Sequence, residues 1–546
     1  MAYKKEIDEN FRFLILAVRS QLQDALNFLD DTGTVSNENF FARDDYIDNL
    51  KGVIETKCFS QIHYSGEPEK KTVDLIKAVI VITTNLERIA DYSVNMIGQM
   101  HHLHDTSFIR KYDYREFFDI ILESVDLIYK AAISKDLQDG LHICKSELTI
   151  DSLYKEVFQE LLAELKTGKN TEDLLTTIFI FRYLERMGDC LLNVGEAIIS
   201  SAMGEKFKFD QFEALEESIQ RAQIEASISD FTFDSIWETR SGCRIARVRT
   251  KNGNGSTIAA IFKEGQLKKL EDEKNNIEKW QEIIPGLPPR IYSFKPRGEN
   301  ASILLEYIDG NTLEDLLLSN NPEGVKKSLG LIKKTLNEVY ESTRKMEPVN
   351  ARPSNQLLER IREVHEVHPD YKFETRQIGS IETPSFDEML KRLSEIDESI
   401  YSPFTVFIHG DFNIDNIILD KNKDTIHFID LHRSKNFDYV QDISVFMVST
   451  FRLPVKDDMV RNLMNLATDE IYRFGAEFAQ RNNDTTFEAR LTLGLIRSFT
   501  SSTRFELKEE FAKTMYLRAI YLIEKMLSHE GKPWEEFRLP SASLVY

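Results

Sequence analysis

The stretch FIHGDFNIDNIILD, Phe407 to Asp420, followed by KNKDT and then IHFIDLHRS, decides how the second half of this 546-residue chain is read. Its pattern is a loop, a strand, a turn and a second strand ending at Asp430. Phosphoryl transfer asks little covalent work of a protein: metal ions hold the β- and γ-phosphates while a carboxylate aligns the attacking hydroxyl. One carboxylate must stay off the metal and another must sit on it. The segment offers Asp411 for the first task, and Asn416 with Asp430 for the second.

The order His409, Asp411, Asn416 matches the protein-kinase catalytic loop H-R-D-x-x-x-x-N, with Gly410 where that loop has Arg. With the HGD triplet and the following I-D, residues 230 to 530 resemble the aminoglycoside phosphotransferase and choline kinase superfamily. That resemblance implies a bilobal α+β kinase-like fold, an N-lobe over 230–308 and a C-lobe over 309–546, working with ATP and Mg2+. DYVQDISVF from Asp438 is similar to the family's Y-D-L-A segment, so Asp442 is expected to brace the loop. His409 reads as a second brace, because kinase chemistry already has its carboxylate.

Upstream, ETRSGCRIARVRTKNGNGSTIAAIFKE (Glu238–Glu264) reads as two strands through SGC, an Asn-Gly turn and a third strand carrying Lys263. Lys263 is placed to neutralise the α/β-phosphates. Glu271, Glu273 and Glu278 on the following helix are its candidate partners, Glu273 fitting the spacing best. Ser241 and Gly242 form the candidate phosphate loop, which keeps one glycine where protein kinases have three. ILLEYIDGNTLEDLL from Ile303 reads as the hinge between lobes, with the backbone from Glu306 to Ile308 offered to adenine. Acceptor identity should lie in the later helices, VFMVSTFRLPV and LIRSFTSSTRFELKEEF, whose apolar residues read mainly as core.

The first half has another texture. From Glu6 to Gly204 there is one proline, Pro68, and apolar residues return every three or four positions. It repeats itself: YIDNLKGVIETKCFSQI from Tyr46 echoes TIDSLYKEVFQELLAEL from Thr149, and NLERIADYSVNMIG from Asn85 echoes YLERMGDCLLNVGE from Tyr183. Two three-helix units, about 5–104 and 110–204, therefore make an all-α domain over 1–210, with a helical linker at 211–229. Glu87, Asp91 and Asn95, and in the copy Glu185, Asp189 and Asn193, are spaced to stack along one helix face. At these residues the half resembles the PhoU family, which implies that Glu87, Asp91, Glu185 and Asp189 are metal ligands in phosphate-linked regulation. Oxygen-donor spacing does not choose among Fe, Zn, Mn and Mg2+. His101, His102 and His104 lack a counterpart in the second repeat and read as a solvated helix end.

A formal charge of −21, from 69 basic and 90 acidic residues, disfavours nucleic acid as a general partner. The 42% hydrophobic content excludes a predominantly disordered chain. Four scattered cysteines match a reducing cytoplasm better than a disulfide framework, and no apolar run reaches membrane-spanning length. The expectation is a cytoplasmic, ATP- and magnesium-dependent kinase for a small-molecule hydroxyl acceptor, governed by a metal-binding PhoU-like domain. A phosphate-regulon protein is the expected macromolecular partner, and a homodimer is compatible with the sequence. The competing readings are a nucleotide- and metal-binding adaptor of phosphate homeostasis and a kinase acting on a protein.

Overall fold

Apolar side chains returning to one face give the first half six long helices in the computed structural model. They are α1 (Ala2–Asp30), α2 (Asn37–Tyr64), α3 (Lys70–Met100), α4 (Arg115–Ser134), α5 (Leu137–Leu165) and α6 (Thr171–Met203), followed by a shorter α7 (Phe209–Arg221). The structure describes residues 2–31, 37–64, 70–204, 208–221, 232–235, 244–251, 257–421 and 423–544. The chain divides into two units, Met1–Phe262 and Lys263–Tyr546. In the first, α1, α2 and α3 pack on one another, α4, α5 and α6 do the same, and α3 meets α6.

Fully buried Phe11, Phe117, Phe118 and Phe181 fill this core, and truncating one such ring to Ala costs about 3–5 kcal/mol. α5 starts where the Asp136 carboxylate accepts the N–H groups of Gln138 and Asp139, the preferred way to satisfy a helix's first donors. Close packing of α5 on α6 depends on Gly195, whose added Cβ would lie 2.4 Å from the Cys144 sulfur and 2.7 Å from the Gly140 carbonyl.

Short strands and helices then alternate. β1 (Thr232–Ser235) pairs antiparallel with β2 (Arg244–Lys251). Next come β3 (Thr257–Gln266), α8 (Leu267–Ile283), and the antiparallel pair β4 (Ile291–Arg297) and β5 (Asn300–Glu306). β6 (Gly310–Thr312) leads into α9 (Leu313–Leu318), where Thr312 and Asp315 form a reciprocal cap. The helices α10 (Pro322–Thr343) and α11 (Pro353–Val367), the small hairpin β7 (Arg376–Ile378) with β8 (Ile381–Thr383), and α12 (Phe386–Glu398) follow. The segment that carries the motif contains β9 (Val406–Ile408), β10 (Ile417–Asp420), β11 (Ile426–Phe428), β12 (Lys435–Phe437) and α13 (Val440–Phe451). α14 (Asp458–Arg481), α15 (Phe487–Ser502) and α16 (Glu509–His529) complete an α+β unit.

Packing fixes the motif segment rigidly. Trp280 of α8 is buried against Phe407 and Phe428, and its indole N–H donates to the Ser434 hydroxyl at 2.9 Å. At the start of α13, buried Arg490 bridges Asp438 and Asp484, and the Tyr439 hydroxyl donates to Asp484 at 2.7 Å. Such a buried charged network is costly to break one member at a time, so it holds the turn before Asp442 in one arrangement.

Candidate active site and acidic helix faces

The expected strand, turn and strand form the hairpin β10–β11, with Ile417 opposite Phe428. Continuing that register sets Asn416 opposite Ile429, whose N–H donates to the Asn416 carbonyl at 3.0 Å. Asn416 and Asp430 therefore lie at the same end of the hairpin. Asp430 itself falls just past β11, in the left-handed region (φ 60°, ψ 53°) that Asp tolerates better than most residues.

Two braces hold the loop before the hairpin. Asp442 is fully buried, and its two carboxylate oxygens accept the N–H groups of His409 and Gly410, each at 2.8 Å. Burial pushes its pKa up to about 7 even though both bonds favour the ionised form. His409 has Nε2 3.0 Å from the Ile429 carbonyl, while Nδ1 accepts the Asp411 N–H at 3.3 Å. Burial lowers its pKa to about 4, so the ring is neutral and spans the loop and the hairpin as a structural tie. Gly410 occupies φ +85°, and a Cβ there would lie 2.2 Å from the Arg433 carbonyl. The position where protein kinases carry Arg thus admits no side chain in this loop.

Asp411 is one-fifth exposed; one oxygen accepts from Asn413 at 2.9 Å and the other pairs with Arg433 at 3.0 Å. Asn416 donates its amide to the Asp411 carbonyl at 2.9 Å, which leaves its carbonyl oxygen as the group for a hard cation. Burial alone would raise the pKa of Asp430, but Lys263, 3.5 Å away, and His432, 3.3 Å away, hold it well below the usual carboxylate range. A carboxyl kept ionised beside an amide oxygen is an all-oxygen donor set of the kind Mg2+ takes.

Lys263 on β3 pairs with Glu273 of α8 at 2.5 Å, both nearly excluded from solvent. Of the three glutamates weighed from spacing, Glu273 is the buried one on that helix. In the expected hinge, the Glu306 N–H is taken by the Arg290 carbonyl at 2.8 Å and its carboxylate accepts the Arg290 N–H at 3.2 Å. Ser241 and Gly242 lie outside the described residues.

In the helical unit, Glu87 and Asp91 of α3 gather with Asp48 of α2, one carboxylate oxygen of each within 4.8 Å of the others. Burial first, then Glu87, Asp44 and Asp48, raise the Asp91 pKa to about 6, while Lys51 pairs with Glu87 at 2.9 Å. The second repeat is more neutralised: Glu185 pairs with Arg182 at 2.5 Å and Asp189 with Arg186 at 3.2 Å. Glu147 and Asp151 from α5 add to its negative charge, since burial and then Asp151, Asp189 and Glu185 raise the Glu147 pKa. The α2 and α5 acids were missed from sequence, although the echo of YIDNL and TIDSL already aligned Asp48 with Asp151. His104 is tied to Asp173 through its backbone N–H at 2.8 Å and Nδ1 at 3.3 Å.

Residues 14–100 and 114–198 match the PhoU domain, and residues 321–472 match the ecdysteroid kinase-like family. The first region is 28% identical over 196 residues to a phosphate-specific transport system accessory protein PhoU homolog of Clostridium acetobutylicum, covering 34% of this chain and 86% of that protein. Among solved structures, PhoU from Pseudomonas aeruginosa is 22% identical, with 37% of this chain and 98% of that one covered and a TM-score of 0.35. An aminoglycoside-3'-phosphotransferase of type VIII is 16% identical, with 53% and 98% covered and a TM-score of 0.35. The chain joins an N-terminal PhoU domain to a C-terminal kinase-like domain. Among the described residues no helix is long and apolar enough to cross a membrane.

Proposed function

We propose that the kinase-like domain is an ATP- and Mg2+-dependent phosphotransferase that phosphorylates a hydroxyl group on a small molecule. The observation that carries this reading is the division of labour among three carboxylates. Asp442 is spent on backbone N–H groups, Asp430 is held ionised beside Lys263, and Asp411 stays partly exposed. Mg2+ bound at Asn416 and Asp430 would screen the charge of the ATP phosphates. Lys263, oriented by Glu273, meets the α/β-phosphates, and the backbone of Glu306 and Ile308 receives adenine. Asp411 aligns the acceptor hydroxyl and takes its proton as the oxygen bonds to the γ-phosphorus; the bond to the bridging oxygen breaks and ADP leaves with that electron pair.

In the same reading the PhoU domain binds metal through Asp48, Glu87 and Asp91, and through Glu185 and Asp189, and couples phosphate status to the kinase. The oxygen-rich cluster suits a hard cation such as Mg2+ or Mn2+. The test is ADP release from Mg·ATP with pooled hydroxylated metabolites, comparing the full chain with Asp430→Asn and with EDTA. Acceptor-dependent release lost under both conditions is expected; release indifferent to both would overturn the reading.

A further inference from the structure

Around Asp411 the second unit collects arginines that the phosphotransferase reading leaves without a task. Arg433 pairs with Asp411 at 3.0 Å, and Arg504, just past α15, pairs with Glu363 of α11 at 3.2 Å. Arg360 lies half-buried on α11, where burial and then Arg433 lower its pKa. Arg497 of α15 is only 7% exposed. Its Nη1 donates to the neutral Gln356 carbonyl oxygen at 3.2 Å, and its buried Nε has no hydrogen-bond partner among the described residues. Burial, followed by Arg360, lowers the Arg497 pKa to about 10.

Arg497 also lines a cavity with Gln356 and Gln441, and the Gln441 amide donates to the Gly410 carbonyl at 2.8 Å, beside Asp411. Two carboxylates reach the same cavity but are already engaged. Asp438 pairs with Arg490 at 2.5 Å, and Asp397 accepts the Ser354 N–H at 2.9 Å together with its hydroxyl. Asp411 and Glu363 pair directly with Arg433 and Arg504, and Asp411, Glu363 and Glu359 are the carboxylates that also act on Arg360 and Arg497. Four guanidiniums thus face three carboxylates, and Arg497, the most buried of the four, has no direct ion pair among the described residues. A buried guanidinium without a carboxylate is costly unless an anion completes it, and its planar fork matches carboxylate and phosphate oxygens.

We infer that the acceptor is itself an anion, a hydroxylated compound bearing a phosphate or carboxylate group that Arg497 and Arg360 bind while Asp411 receives its hydroxyl. This rests on the phosphotransferase reading for the reaction but not for the anion site. The arginines group with Asp411 and Glu363, whereas Lys263 is the cation at Asp430, so acceptor anion and nucleotide phosphates have separate cations.

The test compares, with the full chain and Mg·ATP, matched acceptors: polyol and sugar phosphomonoesters, hydroxycarboxylates, their neutral parents, and amino alcohols. In parallel, inorganic phosphate is titrated into the Mg·ADP-loaded protein. Anionic acceptors should exceed their neutral parents by about tenfold or more in kcat/KM. Arg497→Gln and Arg360→Gln should raise the acceptor KM by about tenfold, well beyond any change in the ATP KM. Should Arg497→Gln lose the fold, the half-buried Arg360→Gln carries the comparison. The phosphomonoester and hydroxycarboxylate arms identify the anionic group. Neutral or aminated acceptors turning over as fast as anionic ones would overturn the inference. If no acceptor reacts, phosphate binding that is lost in the arginine variants still establishes the anion site, and the phosphotransferase reading alone falls. The absence of both acceptor turnover and arginine-dependent phosphate binding would sink the inference.

Discussion

The acids of the two regions keep opposite company. In the kinase-like domain the three motif carboxylates each face a different partner: Asp411 has Arg433, Asp430 has Lys263, which it shares with Glu273, and Asp442 has two backbone N–H groups. On the first PhoU repeat Asp48, Glu87 and Asp91 face one another, with Lys51 as the cation at Glu87. Carboxylates matched one by one are placed for distinct tasks, whereas carboxylates crowded together store repulsion that a shared cation relieves.

The largest expected effect breaks the matched set at its reacting member. Asp411→Ala should lower phosphoryl transfer by about a thousandfold while ATP binding persists, measured by steady-state kinetics beside calorimetry. Next comes the member committed to structure. Asp442→Ala strands the buried N–H groups of His409 and Gly410 and should cost about 4 kcal/mol in urea unfolding, with Asp442→Asn costing less.

His409 supplies a pH signature of nearly that size. Its folded pKa of about 4 lies below the ordinary value of 6.5, so the unfolded chain takes up the proton first. Its contribution is therefore fully present above pH 6.5 and is lost as pH falls towards 4, by about 3 kcal/mol. Unfolding midpoints of the full chain and His409→Gln should diverge over that window, and parallel curves would remove His409 as the neutral tie.

Changes in the crowded acids of the PhoU repeats should act more weakly. Asp48→Asn should reduce metal bound to the full chain about as much as Asp91→Asn, by about tenfold in affinity. Asp189→Asn should matter less, because Arg182 and Arg186 already offset the second repeat. Elemental analysis after equilibrium dialysis reads both, and equal metal content in every variant would return these acids to an ordinary solvated face.

Local spacing made much of this legible. The helical period and the echo of LERIADYSVN in LERMGDCLLN announced two three-helix units, and HGD with Asn416 and a following I-D announced the hairpin. Spacing also singled out Glu273, since a lysine on a strand and a glutamate on the next helix meet when both are buried. Asp48 escaped because its role depends on α2 packing against α3, a contact that no local period encodes. The arginine group escaped for the same reason. LIRSFTSSTRFELKEEF contains Arg497 and Arg504, yet its apolar residues read as core, and only the packing of α11 on α15 assembles the charge. The steric need for Gly410 was equally hidden, because it comes from the Arg433 carbonyl 23 residues on.

Phosphorus NMR of the full chain with Mg·ATP and hydroxylated acceptors, run beside Asp411→Ala, follows the transferred group itself. The γ-phosphorus signal should pass into a new phosphoester as ADP accumulates, and the variant should bind ATP without forming it. ADP with free phosphate alone, or a phosphoester formed equally well by Asp411→Ala, would contradict the phosphotransferase reading.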